Sequence, residues 1–106
     1  MLIAWTTVAT QADADRISAD CIAQNLAVCA QVEGPITSHY RWQGKIETAV
    51  EWRITFKCFK EQSEALATHV QAVHPYEVPE WVAVETELIG EKYLSWARAA
   101  RSSINL

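Results

Sequence analysis

The chain has 106 residues, a length that suits one domain with a single hydrophobic core. Apolar residues make up 50% of the sequence and charged residues 21%, which is typical of globular proteins and unlike disordered chains. Nine basic against thirteen acidic residues give a net charge of −4, so the electrostatic footprint of a nucleic-acid-binding protein is absent. The apolar stretches are too short to cross a bilayer, and we expect no membrane partner.

The cysteine pattern bears on the cellular compartment. Cys21, Cys29 and Cys58 are odd in number and lack Cys-x-x-Cys spacing. This argues against a disulfide framework and a structural zinc site, and it favours free thiols packed in the core. The first nine residues also lack the basic region and cleavage site of a signal peptide. We therefore expect a cytoplasmic protein.

A strand and then a helix are predicted first. Residues 2–9 are apolar or β-branched, which indicates a strand. Thr10 is followed three places later by Asp13, close to the capping-box pattern that begins a helix. Apolar residues then recur at helical spacing up to about Asn25, a residue type that takes the left-handed conformation at which helices end.

A second extended region is predicted from about residue 26 to residue 42. Residues 26–32 are apolar, and residues 36–42 are rich in threonine and aromatic side chains. Between these runs, Gly34-Pro35 is either a bulge or kink in one long strand or a turn between two short ones. Proline cannot donate to a strand ladder, so we place Pro35 at an edge or a bulge.

The clearest pattern follows the tight-turn pair Gln43-Gly44. In the next segment the odd-numbered residues are mostly polar, and the even-numbered set is mostly apolar: Ile46, Thr48, Val50, Trp52, Ile54, Phe56 and Cys58. A period of two over this distance predicts one long strand with its even-numbered face against a core.

The last third of the chain is predicted to contain helix, strand and helix. The second helix is predicted to begin at Ser63 and to stop at His74-Pro75, because the residue before proline is pushed out of the helical region. Residues 81–87 read as a strand, and residues 91–101, after Gly90, read as a C-terminal helix.

The resulting order predicts the α+β class. It is a ferredoxin-like βαββαβ sandwich with a C-terminal helix, a long β2-β3 hairpin, and helices on one face of an antiparallel sheet. Other strand orders use the same elements and stay open at this point.

The predicted hairpin is too long for a body of this size. A strand over residues 45–59 would span roughly 50 Å at ~3.3 Å per residue. A ~13 Å radius of gyration for 100 residues gives a diameter of about 26 Å. Ile46, Val50 and Trp52 would then face water beyond the helices, and exposed strand edges recruit other strands. Another copy of the chain is the simplest cover, so we predict an oligomer with these residues in its interface.

Four separated blocks of the sequence carry a more specific signal. They are residues 37–47 (TSHYRWQGKIE), Glu51 with Lys57, residues 74–80 (HPYEVPE) and residues 93–96 (YLSW). In order and spacing these blocks resemble the CutA family of divalent-cation tolerance proteins, whose members typically read Tyr-x-Trp-x-Gly-Lys in the hairpin and His-Pro-Tyr-x-x-Pro after the second helix. The likeness covers essentially the whole chain, which we take as one domain, residues 1–106.

The resemblance implies a homotrimer of ferredoxin-like protomers, akin to PII-type signal proteins, with Trp96 in the subunit interface. It also implies a role in the response to metal ions, with copper or a similar divalent ion as the ligand. No organic cofactor is expected.

Three residues are candidate metal ligands. His74 matches the histidine of the family motif, and imidazole suits copper and zinc; alternatively, it only hydrogen-bonds the last carbonyls of the second helix. Cys29 offers a thiolate suited to Cu(I), although a lone cysteine in an apolar strand usually packs in a core. His69 lies five residues before His74, off the i, i+4 spacing, so a further ligand must come from another segment or subunit.

By the same resemblance, a ligand cleft between protomers would be lined by Tyr40, Trp42, Glu51, Lys57 and Tyr76. Glu51 and Lys57 fall on the polar, odd-numbered face of the long strand, where they would pair or contact a bound anion. This gives an alternative function, a PII-like signalling or adaptor trimer that binds a small anionic metabolite. A third alternative is a scaffold whose assembly is its function.

The sequence contains no Gly-rich phosphate loop, no nucleophile elbow and no His-Glu-x-x-His pattern. We therefore expect a protein that is not an enzyme, and whose partners are its own copies and a metal ion.

Overall fold

The computed structural model describes residues 1–103. In chain order the elements are β1 (Leu2–Val8), α1 (Gln11–Ala23), β2 (Cys29–Trp42), β3 (Lys45–Cys58), α2 (Lys60–Val73), β4 (Val82–Glu85) and α3 (Glu91–Ser103). This confirms the predicted β-α-β-β-α-β order with a terminal helix. Within the described part, no helix is long and apolar enough to cross a membrane.

The strands form one sheet in the order β2-β3-β1-β4, with antiparallel pairing between all neighbours. β1 lies between β3 and β4, and its pairing with β3 runs from Leu2 opposite Cys58 to Val8 opposite Trp52. The strand order that the sequence left open is therefore that of a ferredoxin-like sheet.

The core lies between α1, α2 and one face of the sheet. Even-numbered residues of β1 and of the second half of β3 contribute to this face, and the two helices supply the opposite wall; the core comprises Ala4, Val8, Ala14, Ile17, Cys21, Ala27, Ile54, Phe56, Cys58, Leu66 and Val70. Period two along the strands and helical spacing along α1 and α2 converge on this one cluster. Cys21, Cys29 and Cys58 are free thiols, and Cys29 is only partly buried.

α1 begins and ends where local chemistry predicts. The Thr10 side chain accepts a hydrogen bond from the backbone N–H of Asp13 at 3.1 Å, which satisfies one of the unpaired donors of the first turn. Asn25 lies just beyond the helix and has a φ of 58°. Its left-handed conformation turns the chain out of the helix.

The predicted start of α2 is wrong: the helix begins at Lys60, and Ser63 lies inside its first turn. The buried side chain of Gln62 performs the capping instead. Its Oε1 accepts from the backbone N–H of Phe59 at 2.8 Å, and its Nε2 donates to the carbonyl of Asn25 at 2.9 Å. The end of α2 at Val73, before His74-Pro75, is as predicted.

The Gly34-Pro35 pair is a bulge in one long strand and not a turn between two. The register of β2 against β3 shifts between Glu33 and Ile36, and β2 is an edge strand, as a proline in a sheet requires. The Trp52 indole lies so close to Gly34 that a Cβ there would come within 2.5 Å of its Cδ1. Only glycine fits this position without movement.

The molecule is elongated because the hairpin extends past the helices. Its principal extents are 48 × 26 × 22 Å. The two shorter dimensions match a compact domain of this length, and the long one matches the ~46 Å expected of a fourteen-residue strand.

Candidate functional site

The outer half of the β2-β3 hairpin is the most exposed apolar part of the sheet. Ile46 is 76% exposed and Val50 is 55% exposed. They lie on the even-numbered face of β3, which carries the core further along the same strand at Ile54 and Phe56. The face therefore continues its apolar pattern beyond the point at which α1 and α2 stop covering it.

The same half of β3 also has an unpaired edge within the described chain. β2 pairs with one edge of β3 from Lys45 to Lys57, but β1 covers the other edge only from Trp52 to Cys58. Residues 45–51 consequently present backbone donors and acceptors to whatever lies beside them. Exposed apolar residues and an open edge coincide in one segment.

A buried carboxylate lies where β1 ends and this open edge begins. Glu51 is only 7% exposed, and its Oε2 accepts a hydrogen bond from the Tyr76 hydroxyl at 2.8 Å. Burial, followed by the hydrogen bond and negative charge of Glu51, raises the pKa of Tyr76 far above its ordinary value of 10.0. The charge of Tyr40 acts on the pKa of Tyr76 in the same direction, and the hydrogen bond brings two of the predicted cleft residues, Glu51 and Tyr76, into contact.

His74 is buried directly beside this pair. Its Nε2 donates to the carbonyl of Thr7 at 2.9 Å and lies 3.1 Å from the Thr6 hydroxyl, while its Nδ1 accepts from the backbone N–H of Tyr76 at 3.0 Å. These partners define the neutral tautomer with the proton on Nε2. A metal could bind His74 only after one of these hydrogen bonds breaks.

The pKa of His74 lies below its ordinary value of 6.5. Burial is the main cause, because it penalises the imidazolium form, and the Thr7 carbonyl and the charges of Asp13 and Glu51 oppose it only in part. The ring is thus held neutral, and it holds the 74–76 segment against β1.

Lys57 and Cys29 lie at a second place, near the other end of β3. Lys57 pairs with Cys29 across the strands, its Nζ donates to Gln31 Oε1 at 2.9 Å, and it lies 5.7 Å from the centre of the Tyr93 ring. Six residues of strand, about 20 Å, separate Lys57 from Glu51. Within one chain the structure does not bring these two predicted cleft residues together.

His69 lies at a third place, on the outer side of the helices. Its Nε2 is 2.5 Å from Asp20 Oδ2, a hydrogen-bond contact that joins α2 to α1. The hydrogen bond from His69, followed by one from Gln24, lowers the pKa of Asp20 below its ordinary value of 3.8. Asp20 was not singled out from the sequence, because its partner is 49 positions away along the chain.

The three candidate metal ligands therefore occupy three separate places. Among residues 1–103, no three histidine, cysteine, aspartate or glutamate side chains lie close enough together to hold a metal ion. Within one chain, a ligand set drawn from His74, Cys29 and His69 does not assemble.

The described features define a small ferredoxin-like protein with an overhanging, partly unpaired hairpin, and the sequence comparisons add the family. The chain matches the family described as CutA1 divalent ion tolerance protein over residues 2–100, and it belongs to that family. It is 30% identical over 99 residues to the divalent-cation tolerance protein CutA of Yersinia pestis, which covers 93% of this chain and 83% of the relative.

Solved structures of the family superpose closely on this chain. CutA from Synechococcus elongatus is 33% identical with a TM-score of 0.89, covering 94% of this chain and 88% of that one. A protein from Archaeoglobus fulgidus, described as the periplasmic divalent cation tolerance protein CutA, is 28% identical with a TM-score of 0.89, covering 95% and 99%. The resemblance found in the four sequence blocks is confirmed, and the family is named for tolerance of divalent cations and not for a reaction.

Proposed function

We propose that this chain acts as a homotrimer in the response to divalent metal ions, binding copper or a similar ion without catalysing a reaction. The observation that carries the proposal is the overhanging hairpin, in which apolar side chains and an open strand edge are both left without partners among the described residues.

The exposure of this hairpin supports assembly through it. Ile46 and Val50 present apolar surface, and Trp52 closes the apolar row toward the core. The far edge of the sheet offers a complementary surface, since Val82 and Val84 of the edge strand β4 are exposed. Because the hairpin and β4 are different surfaces of one chain, their pairing is head-to-tail. Such pairing builds a ring when the rotation between copies closes, and a closed ring of three leaves neither edge free.

Other exposed aromatic residues support the same assembly. Tyr40 and Trp42 are about half-exposed on the hairpin, and Trp96 is exposed on α3, where its ring lies 5.4 Å from that of Tyr93. Aromatic residues are enriched in interfaces because they bury a large area with one polar group to satisfy.

The proposed metal binding draws support from the family name and from the donor types present. His74, Cys29 and His69 offer imidazole and thiolate, which suit copper, but each is in a different place in one chain. A complete set of ligands therefore needs residues of a second subunit or donors of another type.

The comparisons do not favour the PII-like alternative, and no observation of Glu51, Tyr76 and Lys57 supports an anion site within one chain.

We also propose a cytoplasmic location, supported by the three free cysteines. Cell fractionation with compartment markers tests it, and recovery of the protein in the periplasmic or secreted fraction would contradict it.

The oligomeric state is tested by multi-angle light scattering after gel filtration. The wild-type protein should elute with three times the mass of one chain. Ile46→Lys places a charge on the hairpin and should shift the mass toward that of a single chain, whereas Ala19→Lys, on the exposed side of α1, should leave the mass unchanged. A folded wild-type protein with the mass of one chain at micromolar concentration would refute the assembly.

Copper binding is tested by titrating Cu(II), and Cu(I) under reducing conditions, into the wild-type protein. Stoichiometric binding supports the proposal, and the absence of binding to the assembled protein refutes it. Single alanine variants then identify which of the three candidate residues acts as a ligand: His74→Ala, Cys29→Ala and His69→Ala. A variant that binds copper as tightly as the wild type shows that the replaced residue is not a ligand.

A further inference from the structure

Glu51 is a buried acidic residue without a positive partner in the described part of the chain. It is 7% exposed, and the Tyr76 hydroxyl donates a hydrogen bond to its Oε2 at 2.8 Å. No lysine or arginine among residues 1–103 forms an ion pair with it. The neighbouring His74 ring supplies no charge, because burial lowers its pKa and keeps it neutral. Since desolvating an unpaired charge is costly, we expect the counter-charge of Glu51 from outside a single chain.

The tip of the β2-β3 hairpin carries two bases that are free in a single chain. Arg41 and Lys45 lie on either side of the turn at Gln43-Gly44, and both are exposed. Neither forms an ion pair or a side-chain hydrogen bond within residues 1–103. Several bases of the body are already bound to polar side chains: Arg16, Arg53, Lys57 and Arg101. The overhanging tip thus presents positive charge that has no partner in its own chain.

Lys45 and Glu51 cannot meet within one chain. Both lie on β3, and six residues of extended strand separate them by about 20 Å. Because both positions belong to the same continuous strand, no rotation of the side chains closes this gap. An ion pair between them requires two copies of the chain.

The faces of the sheet decide which of the two tip bases can meet Glu51. Lys45 and Glu51 both lie on the odd-numbered face of β3, whereas Arg41 pairs with Ile46 and therefore lies on the even-numbered face. In a closed ring, rotation about one axis turns the same face of every copy toward that axis. Lys45 of one copy and Glu51 of the next are then on the same side of the assembly, and Arg41 is on the other.

The sheet leaves room for a hairpin tip beside Glu51. β1 ends at Val8 and β4 begins at Val82, so no strand of the same chain lies on that side of residues 45–51. These residues outnumber the four residues of β4. Even when β4 of one copy pairs with this edge, part of the edge stays open to the hairpin tip of another.

We propose that Lys45 of each subunit forms an ion pair with Glu51 of the next subunit around the ring. The pair joins the free positive charge of the hairpin tip to the buried carboxylate. It rests on the proposed assembly and deepens it, because it names the place on the neighbouring subunit at which the hairpin tip docks. Such a pair also fixes the register of docking, since a slip by one residue would turn Lys45 to the other face.

The reactivity of the Lys45 amine tests the ion pair in the wild-type protein. Under limiting acetic anhydride, read by peptide mass spectrometry, Lys45 should be acetylated several-fold more slowly than Lys60, which is exposed at the start of α2. Glu51→Gln should raise the rate at Lys45 toward that at Lys60, because the amine loses its charged partner. A Lys45 amine that reacts as fast as Lys60 in the assembled protein, or at a rate that Glu51→Gln leaves unchanged, would overturn the proposal.

A double-mutant cycle on the assembly gives a second readout. In a dilution series in mild urea, followed by light scattering, Lys45→Gln and Glu51→Gln should each raise the concentration of half-dissociation by about tenfold or more. The double variant should dissociate no more readily than the weaker single variant, because both changes remove the same contact.

Arg41→Gln is the matched control, since it removes the same charge from the other face of the tip. It should dissociate as the wild-type protein does. An effect of Arg41→Gln equal to that of Lys45→Gln would assign the result to the overall charge of the tip and would refute the pair.

The mass of the wild-type protein separates the failure of this pair from that of the proposed function. If the protein has three times the mass of one chain and its Lys45 reacts as Lys60 does, the pair is refuted and the assembly stands. A folded protein with the mass of one chain refutes both. A trimer whose Lys45 is protected, and becomes reactive in Glu51→Gln, supports both.

Discussion

At the scale of single residues, the contact between Tyr76 and Glu51 joins the segment after α2 to the middle of β3. The Glu51 carboxylate is buried at the point of β3 where the pairing with β1 has ended. It accepts a hydrogen bond from the Tyr76 hydroxyl. A charged acceptor in such a position is costly without its donor. The His-Pro-Tyr block is thereby fixed against the sheet.

Removing the hydroxyl should destabilise the protein. Tyr76→Phe leaves Glu51 buried without this hydrogen bond, and we expect the free energy of unfolding to fall by about 1–3 kcal/mol. Urea denaturation at a fixed protein concentration measures it. In a double-mutant cycle, Tyr76→Phe and Glu51→Gln should be less than additive, since both remove the same contact, and full additivity would mean that the two side chains are not coupled.

His74 gives the stability a defined pH dependence. Its pKa in the folded protein is below 6.5, mainly through burial, whereas in the unfolded chain it has its ordinary value. As the pH falls below 6.5 the unfolded chain takes up a proton that the folded protein does not bind. The free energy of unfolding should therefore decrease between pH 6.5 and the folded pKa, and His74 should contribute no change above this window.

Unfolding by urea at about pH 7.5 and about pH 5.5 checks this behaviour. His74→Gln should lose part of the difference between the two conditions, and His39→Gln, on the exposed hairpin, should keep it. An equal loss of stability in wild type and His74→Gln would assign the pH dependence to other groups.

Single-residue patterns pointed to Glu51, Tyr76, His69 and His74, but not to what each one contacts. Tyr76 reaches Glu51 over 25 positions and His69 reaches Asp20 over 49. Neither partner is marked by local spacing, because only the packing of separate elements brings the members of each pair together.

At the scale of elements, the bulge in β2 shows how one small residue sets the path of a strand. Gly34 lies under the Trp52 indole, and Pro35 follows on the edge of the sheet. The bulge lies between the half of the hairpin that covers the core and the half that overhangs it. A bulge bends the strand in which it lies and increases its local twist.

Gly34→Ala should be destabilising, because the new Cβ would lie 2.5 Å from Trp52 Cδ1 and would force the indole or the strand to move. Overpacking of this kind costs about 1–3 kcal/mol in the free energy of unfolding. Gly90→Ala is the matched control, since a Cβ at Gly90 meets no atom within 4 Å. Equal stability of the two variants in urea would show that Trp52 moves aside freely.

Elements with strong periodicity were predicted well, and several of their boundaries were not. β2 begins at Cys29 and not near residue 26, and β4 ends at Glu85 and not at residue 87. The alternation over β3 and the turn at Gln43-Gly44 define the hairpin locally, so it was predicted from sequence. The start of α2 was predicted at Ser63, but the helix begins at Lys60, where Gln62 accepts from the backbone N–H of Phe59 and also donates to the carbonyl of Asn25. The second of these contacts is tertiary and lies outside any local window.

At the scale of the whole molecule, the stability of the protein should depend on its concentration. If the hairpin is buried only in the assembly, the midpoint of thermal unfolding rises with protein concentration by mass action. Over a hundredfold range of protein concentration, the midpoint of the wild-type protein should rise as the concentration rises. The midpoint of Ile46→Lys should rise less over the same range. A midpoint independent of concentration would indicate that each chain is stable by itself.

The sequence by itself determined the order of elements, the length of the hairpin and its overhang, because these follow from local periodicity and the fixed rise of a strand. The four sequence blocks also identified the family, which the comparisons confirm. The tertiary structure alone decided which side chains meet: Glu51 with Tyr76, His74 with Thr7, and Asp20 with His69 and Gln24. The physical reason is that a hydrogen bond acts over about 3 Å, and positions far apart in the chain come that close only once the helices have packed on the sheet.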